Sequence, residues 1–405
     1  MALSERSKYA FNPIDEDNEL AERLVKSGKK VIQLNRGDIS LYFPTPKYIE
    51  NAYVKAIREN KTHYTRSSGI PELIDAVRGR YKRMFNVNLK EEDIITTQGV
   101  SEGLYFLNAS LLNPGNHAII FRPYYTQYIP NIELAEGKAY YLDYDEKKGW
   151  DIDTEELEDH IKRMKEKRGI KYIMITNPNN PTGTVLKKKT LERIVDLANE
   201  HKLILVSDEI YDEIVYNGAK FTSVSQLAKG IPHVILNGAS KNLDATGFRI
   251  GFMIVPGEDR VSMELKKKFA DFASVRVSVN APAQYAVAEA ISNVKEHRRA
   301  IKYMVSEIED RVNFAVKRLS ENPYLEMVMP NSAYYILPRI DLKSLNYKRD
   351  KEFVDELLQK KLVQITRGSG FGAQSHIRIV ALPDKQTLGE AINRLNEFCM
   401  KRAVK

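Results

Sequence analysis

The chain has 405 residues, of which 43% are apolar, and this length can bury a large core divided between two or three domains. Its net charge of +8 is mild, and no nucleic-acid-binding motif accompanies the lysine runs 187–189 and 266–268, which we interpret as solvated helix faces. The one cysteine, Cys399, excludes an intramolecular disulfide, and there is neither a signal-peptide stretch nor an apolar run of the roughly 18 to 20 residues that span a bilayer. These features predict a soluble cytoplasmic protein that binds neither nucleic acid nor membrane.

Residues 46–290 alternate between short apolar runs and amphipathic helical windows. The apolar runs, which are typical of buried strands, lie at 94–97, 118–121, 172–175, 203–206, 234–236 and 250–255. Strands that alternate with helices indicate βαβ units and a mainly parallel sheet covered on both faces. We therefore predict an α/β fold in which residues 46–290 form a large domain.

The two ends of the chain lack this alternation. Residues 1–45 are mixed and polar and end near Pro44 and Pro46, which suggests a crossing between domains. A long helical pattern occupies residues 283–320, strand-like runs follow at 333–337 and 377–380, and a last helix is predicted from Asp384 to Arg402. We predict that residues 1–45 and 291–405 together form a smaller α+β domain.

Polar residues follow five of the apolar runs, and in open α/β sheets ligands bind beyond the carboxyl ends of the strands. After the first run, Gly99 and Ser101 precede a helical stretch whose free N–H groups would suit a phosphate, although an ordinary helix cap by Ser101 gives the same pattern. Tyr125 follows the second run and could stack on a flat heteroaromatic ring or pack in the core. Asn180 follows the third run and could donate to a ring oxygen or belong to a plain turn.

The fourth and fifth runs are followed by charged residues. Asp208 could pair with a protonated ring nitrogen, an interaction of roughly 4 kcal/mol at ~4 Å and an effective dielectric of about 20, or it could cap a helix. Lys241 could form a Schiff base with a carbonyl compound, and Arg249, one short loop later, could pair with a phosphate. Together these strand ends predict a site for a carbonyl cofactor that carries a phosphate.

Four motifs carry a family resemblance: NPTG at 180–183, SDEIY at 207–211, SK at 240–241 and GFRIG at 247–251. In their order and spacing the chain resembles class I aminotransferases, which are fold-type I enzymes dependent on pyridoxal 5′-phosphate (PLP), and it looks most like the alanine and aspartate aminotransferase branch. The resemblance covers nearly the whole chain. It implies a large domain with a mainly parallel seven-stranded sheet, a homodimer and no metal ion.

The resemblance also implies a role for each matching residue. Lys241 would bind the cofactor covalently and move the substrate Cα proton, with Asp208 at the ring nitrogen and Tyr211 at the ring oxygen. The other cofactor contacts would come from Val100, Ser101, Tyr125, Asn180, Ser240 and Arg249, and from Tyr64, which would reach the phosphate of the neighbouring subunit. Arg378 would clamp the substrate α-carboxylate, helped by Gly37 and Asn180, although an arginine on an apolar strand could instead point to solvent.

The resemblance leaves the substrate open. It favours L-alanine, then L-aspartate, with 2-oxoglutarate in a ping-pong exchange, whereas tyrosines near the site would fit an aromatic substrate, and C–S lyases that cleave cystathionine share the same fold. A dicarboxylate needs a second cation, for which Arg66 and Arg276 are the candidates. Two positions depart from many relatives: Gly238 replaces a serine that contacts the phosphate, and Arg367 replaces a proline.

Overall fold

The structure of the protein is a computed structural model that describes residues 3–12, 14–165 and 169–402. The strands are β1 (Ile32–Gln33), β2 (Ile94–Thr97), β3 (His117–Arg122), β4 (Lys138–Asp145), β5 (Asp151–Ile152), β6 (Ile170–Thr176), β7 (Ile204–Asp208), β8 (His233–Gly238), β9 (Gly251–Ile254), β10 (Leu325–Glu326), β11 (Tyr335–Ile336), β12 (Arg339–Ile340), β13 (Val363–Gln364), β14 (Thr366–Arg367) and β15 (Ile377–Val380). The α-helices are α1 (Asp15–Lys26), α2 (Lys47–Arg58), α3 (Pro71–Phe85), α4 (Gly99–Leu111), α5 (Tyr128–Leu134), α6 (Thr154–Lys165), α7 (Lys188–His201), α8 (Val224–Leu227), α9 (Ala239–Asn242), α10 (Arg260–Arg276), α11 (Ala281–Ser292), α12 (Val294–Leu319), α13 (Asp350–Lys361) and α14 (Lys385–Arg402). Among these described helices, none has the length and apolar composition needed to cross a membrane.

An eight-stranded sheet with the order β2-β9-β8-β7-β6-β3-β4-β5 forms the centre of the fold. Strands β8, β7, β6, β3 and β4 run parallel, whereas β9 is antiparallel to both of its neighbours and β5 is antiparallel to β4. The predicted mainly parallel sheet is confirmed, with one strand more than the seven expected, because the two-residue β5 folds back onto the end of β4. The sequence analysis missed β4, since most of its residues are partly exposed and its pattern is not an apolar run.

The inner strands are apolar because both faces of the sheet are covered. Every residue of β2 and β8 is buried, and so are the last five residues of β6. One face packs against α2, α3, α6, α7 and α11, and the other against α4, α5 and α10. Two-sided burial of this kind produces the continuous apolar runs seen in the sequence.

A second core joins the two ends of the chain. It combines Leu34 and Phe43 with apolar side chains of α12, α13, α14, β11 and β15. Strand β1 pairs in parallel with β13, which fastens residues 32–33 to residues 363–364. Residues 210–216 also contribute to this core, although they directly follow β7 of the large sheet. The domain limits at residues 46 and 290 stay a prediction.

The helical pattern predicted over residues 283–320 is divided into two helices. Asn293 ends α11 and begins α12, where its side chain accepts a hydrogen bond from the backbone N–H of Glu296 at 3.4 Å. An asparagine in this position satisfies a free N–H group of the new helix and so favours a break there.

The interpretation of the lysine run 266–268 as a solvated face is wrong for its first member. Lys266 is only 5% exposed, and its Nζ lies 2.5 Å from Asp93 Oδ1 and donates to the backbone carbonyl of Gly257 at 2.6 Å. Lys267 and Lys268 are exposed, as expected. The helical period explains the difference, because Lys266 falls on the face of α10 that packs against the sheet.

A buried ion network joins α3 to the segment that follows β7. Nη2 of Arg80 donates to both carboxylate oxygens of Asp212, at 2.9 and 2.8 Å, and to Glu213 at 2.9 Å. Asp212 in turn accepts hydrogen bonds from the side-chain amides of Asn237 and Asn242 at 3.0 and 2.6 Å. The network therefore supports the end of β8, through Asn237, and the short helix α9, through Asn242.

We expect Arg80→Met to lower the free energy of unfolding by about 3 to 5 kcal/mol, because it leaves the buried Asp212 without its cation and Glu213 with His297 as its remaining partner. The matched control is Arg78→Met on the same helix, whose ion pair with Asp75 is exposed and should contribute no more than about 1 kcal/mol. Urea unfolding followed by circular dichroism compares the two variants. If Arg80→Met and Arg78→Met lower the free energy of unfolding equally, the buried network does not stabilise the fold more than an exposed ion pair does.

Candidate active site

A cavity of about 380 Å³ opens at the carboxyl ends of the parallel strands and extends to the second core. The structure brings together in its lining all of the predicted site residues except Tyr64, namely Gly37, Val100, Ser101, Tyr125, Asn180, Asp208, Tyr211, Ser240, Lys241, Arg249 and Arg378. These residues come from eight separate segments of the chain. Their meeting follows from the parallel topology, which places several strand ends at one edge of the sheet.

Lys241 lies on the short helix α9 immediately after β8. Its Nζ donates a hydrogen bond to the backbone carbonyl of Gly37 at 2.7 Å. Burial, together with the nearby cations Arg378 and Arg249, lowers the pKa of the Lys241 amine to about 8, while the carboxylate of Asp38 opposes the shift. A much larger fraction of this amine than of an ordinary lysine is therefore neutral, and nucleophilic, close to physiological pH.

Asp208 is the last residue of β7 and is almost fully buried. Its Oδ2 accepts a hydrogen bond from the Tyr128 hydroxyl at 2.7 Å, and its Oδ1 accepts one from the backbone N–H of Ile210 at 3.2 Å. Burial raises the pKa of the Asp208 carboxyl to about 6, and both hydrogen bonds oppose that rise. No α-helix begins after β7, so the alternative role as a helix cap is not realised.

The first turn of α4 and Arg249 face the cavity from two different segments. The first N–H groups of a helix, here those near Val100 and Ser101, have no partner within the helix and suit an anion. Gly99 has a φ of +69°, and a Cβ at this position would lie 2.5 Å from Nη2 of Arg249. Glycine is therefore required where the guanidinium approaches the helix end. Ser101 lies inside α4 rather than at its cap, which removes the alternative role considered above.

Arg378 on β15 is buried and does not point to solvent. Its Nη1 donates to Asn180 Oδ1 at 3.2 Å and its Nη2 to the backbone carbonyl of Asn35 at 2.6 Å, while its Nε has no partner. The guanidinium lies between the rings of Phe371 and Tyr335, at 4.4 and 4.9 Å from their centroids. Among the described residues no carboxylate pairs with it, so this buried cation retains a free donor for an anionic ligand.

Tyrosines complete the wall of the cavity. The hydroxyls of Tyr211 and Tyr335 lie 2.8 Å apart, and burial raises the pKa of Tyr125 to about 12, which keeps its phenol protonated. A side chain at Gly37 would overlap the Tyr335 hydroxyl, so the close approach of these two segments requires glycine. Tyr334 donates to the same Gly37 carbonyl that Lys241 contacts, at 2.9 Å.

Sequence analysis missed two residues of this site, Tyr128 and Tyr335. Tyr128 orients the carboxylate of Asp208, and Tyr335 contacts both Tyr211 and Arg378. Tyr128 stands in the same tyrosine-rich segment as Tyr125, which was a usable signal. Tyr335 lies on a strand that otherwise looks like core, and nothing in its local sequence separates it from a packing residue.

The two departures from related sequences have structural reasons. A Cβ at Gly238 would lie 2.7 Å from the backbone carbonyl oxygen of Ile250 and 2.8 Å from Cα of Gly251, so a serine would force β9 away from β8. Nη1 of Arg367 lies 3.5 Å from Asp17 Oδ1 and links β14 to α1. Neither position weakens the arrangement of groups around Lys241.

The two arginines considered for a distal carboxylate lie outside the cavity of their own chain. Arg66 is exposed and pairs with Glu91. Arg276 donates to two backbone carbonyls at 3.1 and 2.9 Å and lies 3.4 Å from Glu102. Neither residue lines the cavity, although Nε and Nη1 of Arg276 have no hydrogen-bond partner, and their proposed role at a distal carboxylate stays a prediction.

Comparison with known proteins agrees with this geometry. The profile of the family described as aminotransferase class I and II matches residues 29–395. The chain belongs to this family. It is 33% identical to the aspartate aminotransferase of Bacillus subtilis strain 168 over 387 residues, which cover 95% of each chain. It is 31% identical to the asparagine–oxo-acid transaminase of Streptococcus mutans over 386 residues, which cover 94% of each chain. The structure of the alanine aminotransferase from Pyrococcus furiosus superposes with a TM-score of 0.92 at 34% identity and covers 99% of this chain and 100% of that one.

Membership makes the protein a PLP-dependent transaminase of fold type I, as the sequence indicated. The residues of the cavity fit this cofactor. Lys241 offers an amine with a lowered pKa, Asp208 a buried carboxylate, and Arg249 with the start of α4 a site for a phosphate. The free Nε of Arg378 remains for the substrate.

The lowered pKa of Lys241 sets a pH dependence. The neutral amine captures the PLP aldehyde, and its fraction rises as the pH increases through about 8. We expect PLP uptake by the cofactor-free protein to accelerate through this pH and then level off, which stopped-flow absorbance measures. Lys241→Ala, as the control, should show no such acceleration. A midpoint near 10.5, the ordinary lysine value, would contradict the effect of burial.

Proposed function

We propose that this transaminase exchanges the amino group of L-alanine, or of L-aspartate, with 2-oxoglutarate by a ping-pong mechanism. The observation that carries the proposal is the buried Arg378, which lines the same cavity as Lys241 and Asp208 and whose Nε has no hydrogen-bond partner. A guanidinium in this position binds the α-carboxylate that every amino acid and 2-oxo acid presents. The names of the similar proteins, aspartate and alanine aminotransferase, support the choice of substrates.

Arg378 and Asn180 orient the substrate so that its Cα lies near Lys241. PLP, when bound, supplies an aldehyde that captures the amine and an electron-poor ring that accepts the electron pair left at Cα. Lys241 would hold the cofactor and, once its amine is free, would accept the Cα proton of the substrate and return it to the cofactor. Its pKa of about 8 allows the amine to act in both directions near neutral pH.

The remaining cavity residues hold the cofactor in this proposal. Asp208 keeps the ring nitrogen protonated, and Tyr128 fixes the orientation of that carboxylate. Tyr211 and Asn180 would hold the ring oxygen, and Tyr125 would pack against the ring. The phosphate contacts come from Val100, Ser101, Ser240 and Arg249.

A homodimer is part of the proposal, as is a cytoplasmic location. Tyr64 is 83% exposed and does not line the cavity of its own chain. Other large apolar side chains are exposed nearby: Val275 and Val277 flank Arg276, which itself hydrogen-bonds to the backbone of Ser67. An exposed apolar patch next to a segment with a proposed role in catalysis is typical of a subunit interface.

A panel of amino donors tests the proposed reaction. We expect L-alanine and L-aspartate to react with 2-oxoglutarate and to give parallel double-reciprocal plots, because each half-reaction is complete before the next substrate binds. Lys241→Ala should abolish the exchange, and wild-type rates in that variant would contradict the assignment. A preference for aromatic donors, or release of pyruvate and ammonia from cystathionine without a 2-oxo acid, would favour the other two interpretations.

Mixing two defective variants tests the role of Tyr64 across the interface. Tyr64→Ala and Lys241→Ala should each be impaired at limiting PLP. After co-refolding, half of the dimers are mixed, and one of the two sites in each mixed dimer is intact if Tyr64 reaches the partner site. We expect roughly a quarter of the wild-type activity per site to return. If the activity of the mixture equals the sum of the activities of the two separate variants, Tyr64 acts within its own chain.

A further inference from the structure

We infer that Arg36 binds the distal carboxylate of a dicarboxylic substrate, and so determines the preference for four- and five-carbon dicarboxylic amino acids and 2-oxo acids. The inference rests on the proposed function and adds a second carboxylate site to it. Arg36 lines the cavity and is exposed to it. The candidates suggested by the sequence, Arg66 and Arg276, do not line the cavity of their own chain.

The backbone places Arg36 between the two groups that handle the substrate. The carbonyl of the preceding residue, Asn35, accepts from Nη2 of Arg378 at 2.6 Å. The carbonyl of the following residue, Gly37, accepts from Nζ of Lys241 at 2.7 Å. Residue 36 is therefore anchored on both sides, next to the α-carboxylate site and next to the reacting amine. An extended dicarboxylate held by Arg378 has its second carboxylate within the range of a long side chain from this position.

Arg36 is the one cation of the cavity lining, among the described residues, to which the proposed mechanism assigns no role. The cavity is lined by four cations and two carboxylates: Arg36, Lys241, Arg249, Arg378, Asp38 and Asp208. Lys241, Arg249 and Asp208 serve the cofactor, and Arg378 serves the α-carboxylate. Oδ1 of Asp38 accepts from the Thr246 hydroxyl at 2.8 Å. Within the described ranges no carboxylate forms an ion pair with Arg36, which leaves one cation available for a substrate anion.

Apart from Asp38, which is hydrogen-bonded to Thr246, the side chains that residues 12–38 add to the cavity besides Arg36 are neutral. Asn12, Ile14 and Asn18 line it beside Arg36, and Asn18 Oδ1 accepts from the side-chain amide of Asn35 at 2.9 Å. Amides can orient a carboxylate but cannot neutralise a guanidinium. A planar guanidinium with free donors recognises a carboxylate by two parallel hydrogen bonds, whereas the methyl group of alanine offers it nothing.

Specificity measured on the holoenzyme tests the inference. We expect Arg36→Gln to lower the ratio of kcat/KM for L-glutamate to kcat/KM for L-alanine at least about tenfold, because a charge-assisted contact to the longer substrate is lost. Arg36→Lys should retain part of the ratio, since it keeps the charge but not the paired hydrogen bonds. Arg23→Gln is the matched control, because Arg23 is an exposed arginine of α1 that does not line the cavity, and its ratio should equal that of the wild type.

Binding of succinate provides a second measurement that does not depend on turnover. Calorimetric titration of the holoenzyme should show at least about a tenfold weaker succinate affinity in Arg36→Gln and no change in Arg23→Gln. If the wild type is active and Arg36→Gln changes neither the kcat/KM ratio nor the succinate affinity, the role of Arg36 is overturned while the proposed function stands. A wild type that transaminates neither alanine nor glutamate would overturn the proposed substrates, and this inference with them.

Discussion

The hydrogen bond from Lys241 Nζ to the backbone carbonyl of Gly37 joins the two cores of the protein at the point where chemistry takes place. Lys241 follows β8 of the large sheet, and Gly37 follows β1, which pairs with β13 of the second core. The absence of a side chain at Gly37 lets the Tyr335 hydroxyl approach the same segment. The cavity exists because these two parts of the chain meet without filling the space between the strand ends.

Burial has opposite effects on the two ionisable groups that the chemistry needs. It lowers the pKa of Lys241 to about 8 and raises the pKa of Asp208 to about 6, because desolvation disfavours the charged form of each group. The amine thereby becomes available as a nucleophile and a proton carrier. The hydrogen bond from Tyr128 favours the ionised form of Asp208, so this carboxylate can pair with a protonated ring nitrogen.

Arg378 shows how the fold can bury a charge that has no partner of its own. Its guanidinium is held by two acceptors and by the faces of two aromatic rings, which give partial compensation for the lost water. Because all of these partners are neutral, the positive charge of Arg378 is not cancelled and can bind a carboxylate. Arg80 follows the opposite principle, because two carboxylates pair with its charge, and it therefore supports the site as part of a buried ion network.

The sequence by itself determined the parallel sheet and most of the cavity lining, because apolar runs mark strands buried on both faces and polar residues such as Asp208 and Lys241 directly follow them. Only the tertiary structure decided which distant side chains meet these residues. Tyr128, Tyr335 and Arg36 reach the site through contacts between segments, while Arg66 and Arg276 find acceptors elsewhere. A local pattern records the period and the end of each strand, but a hydrogen bond between residues far apart in the chain depends on how the two cores pack.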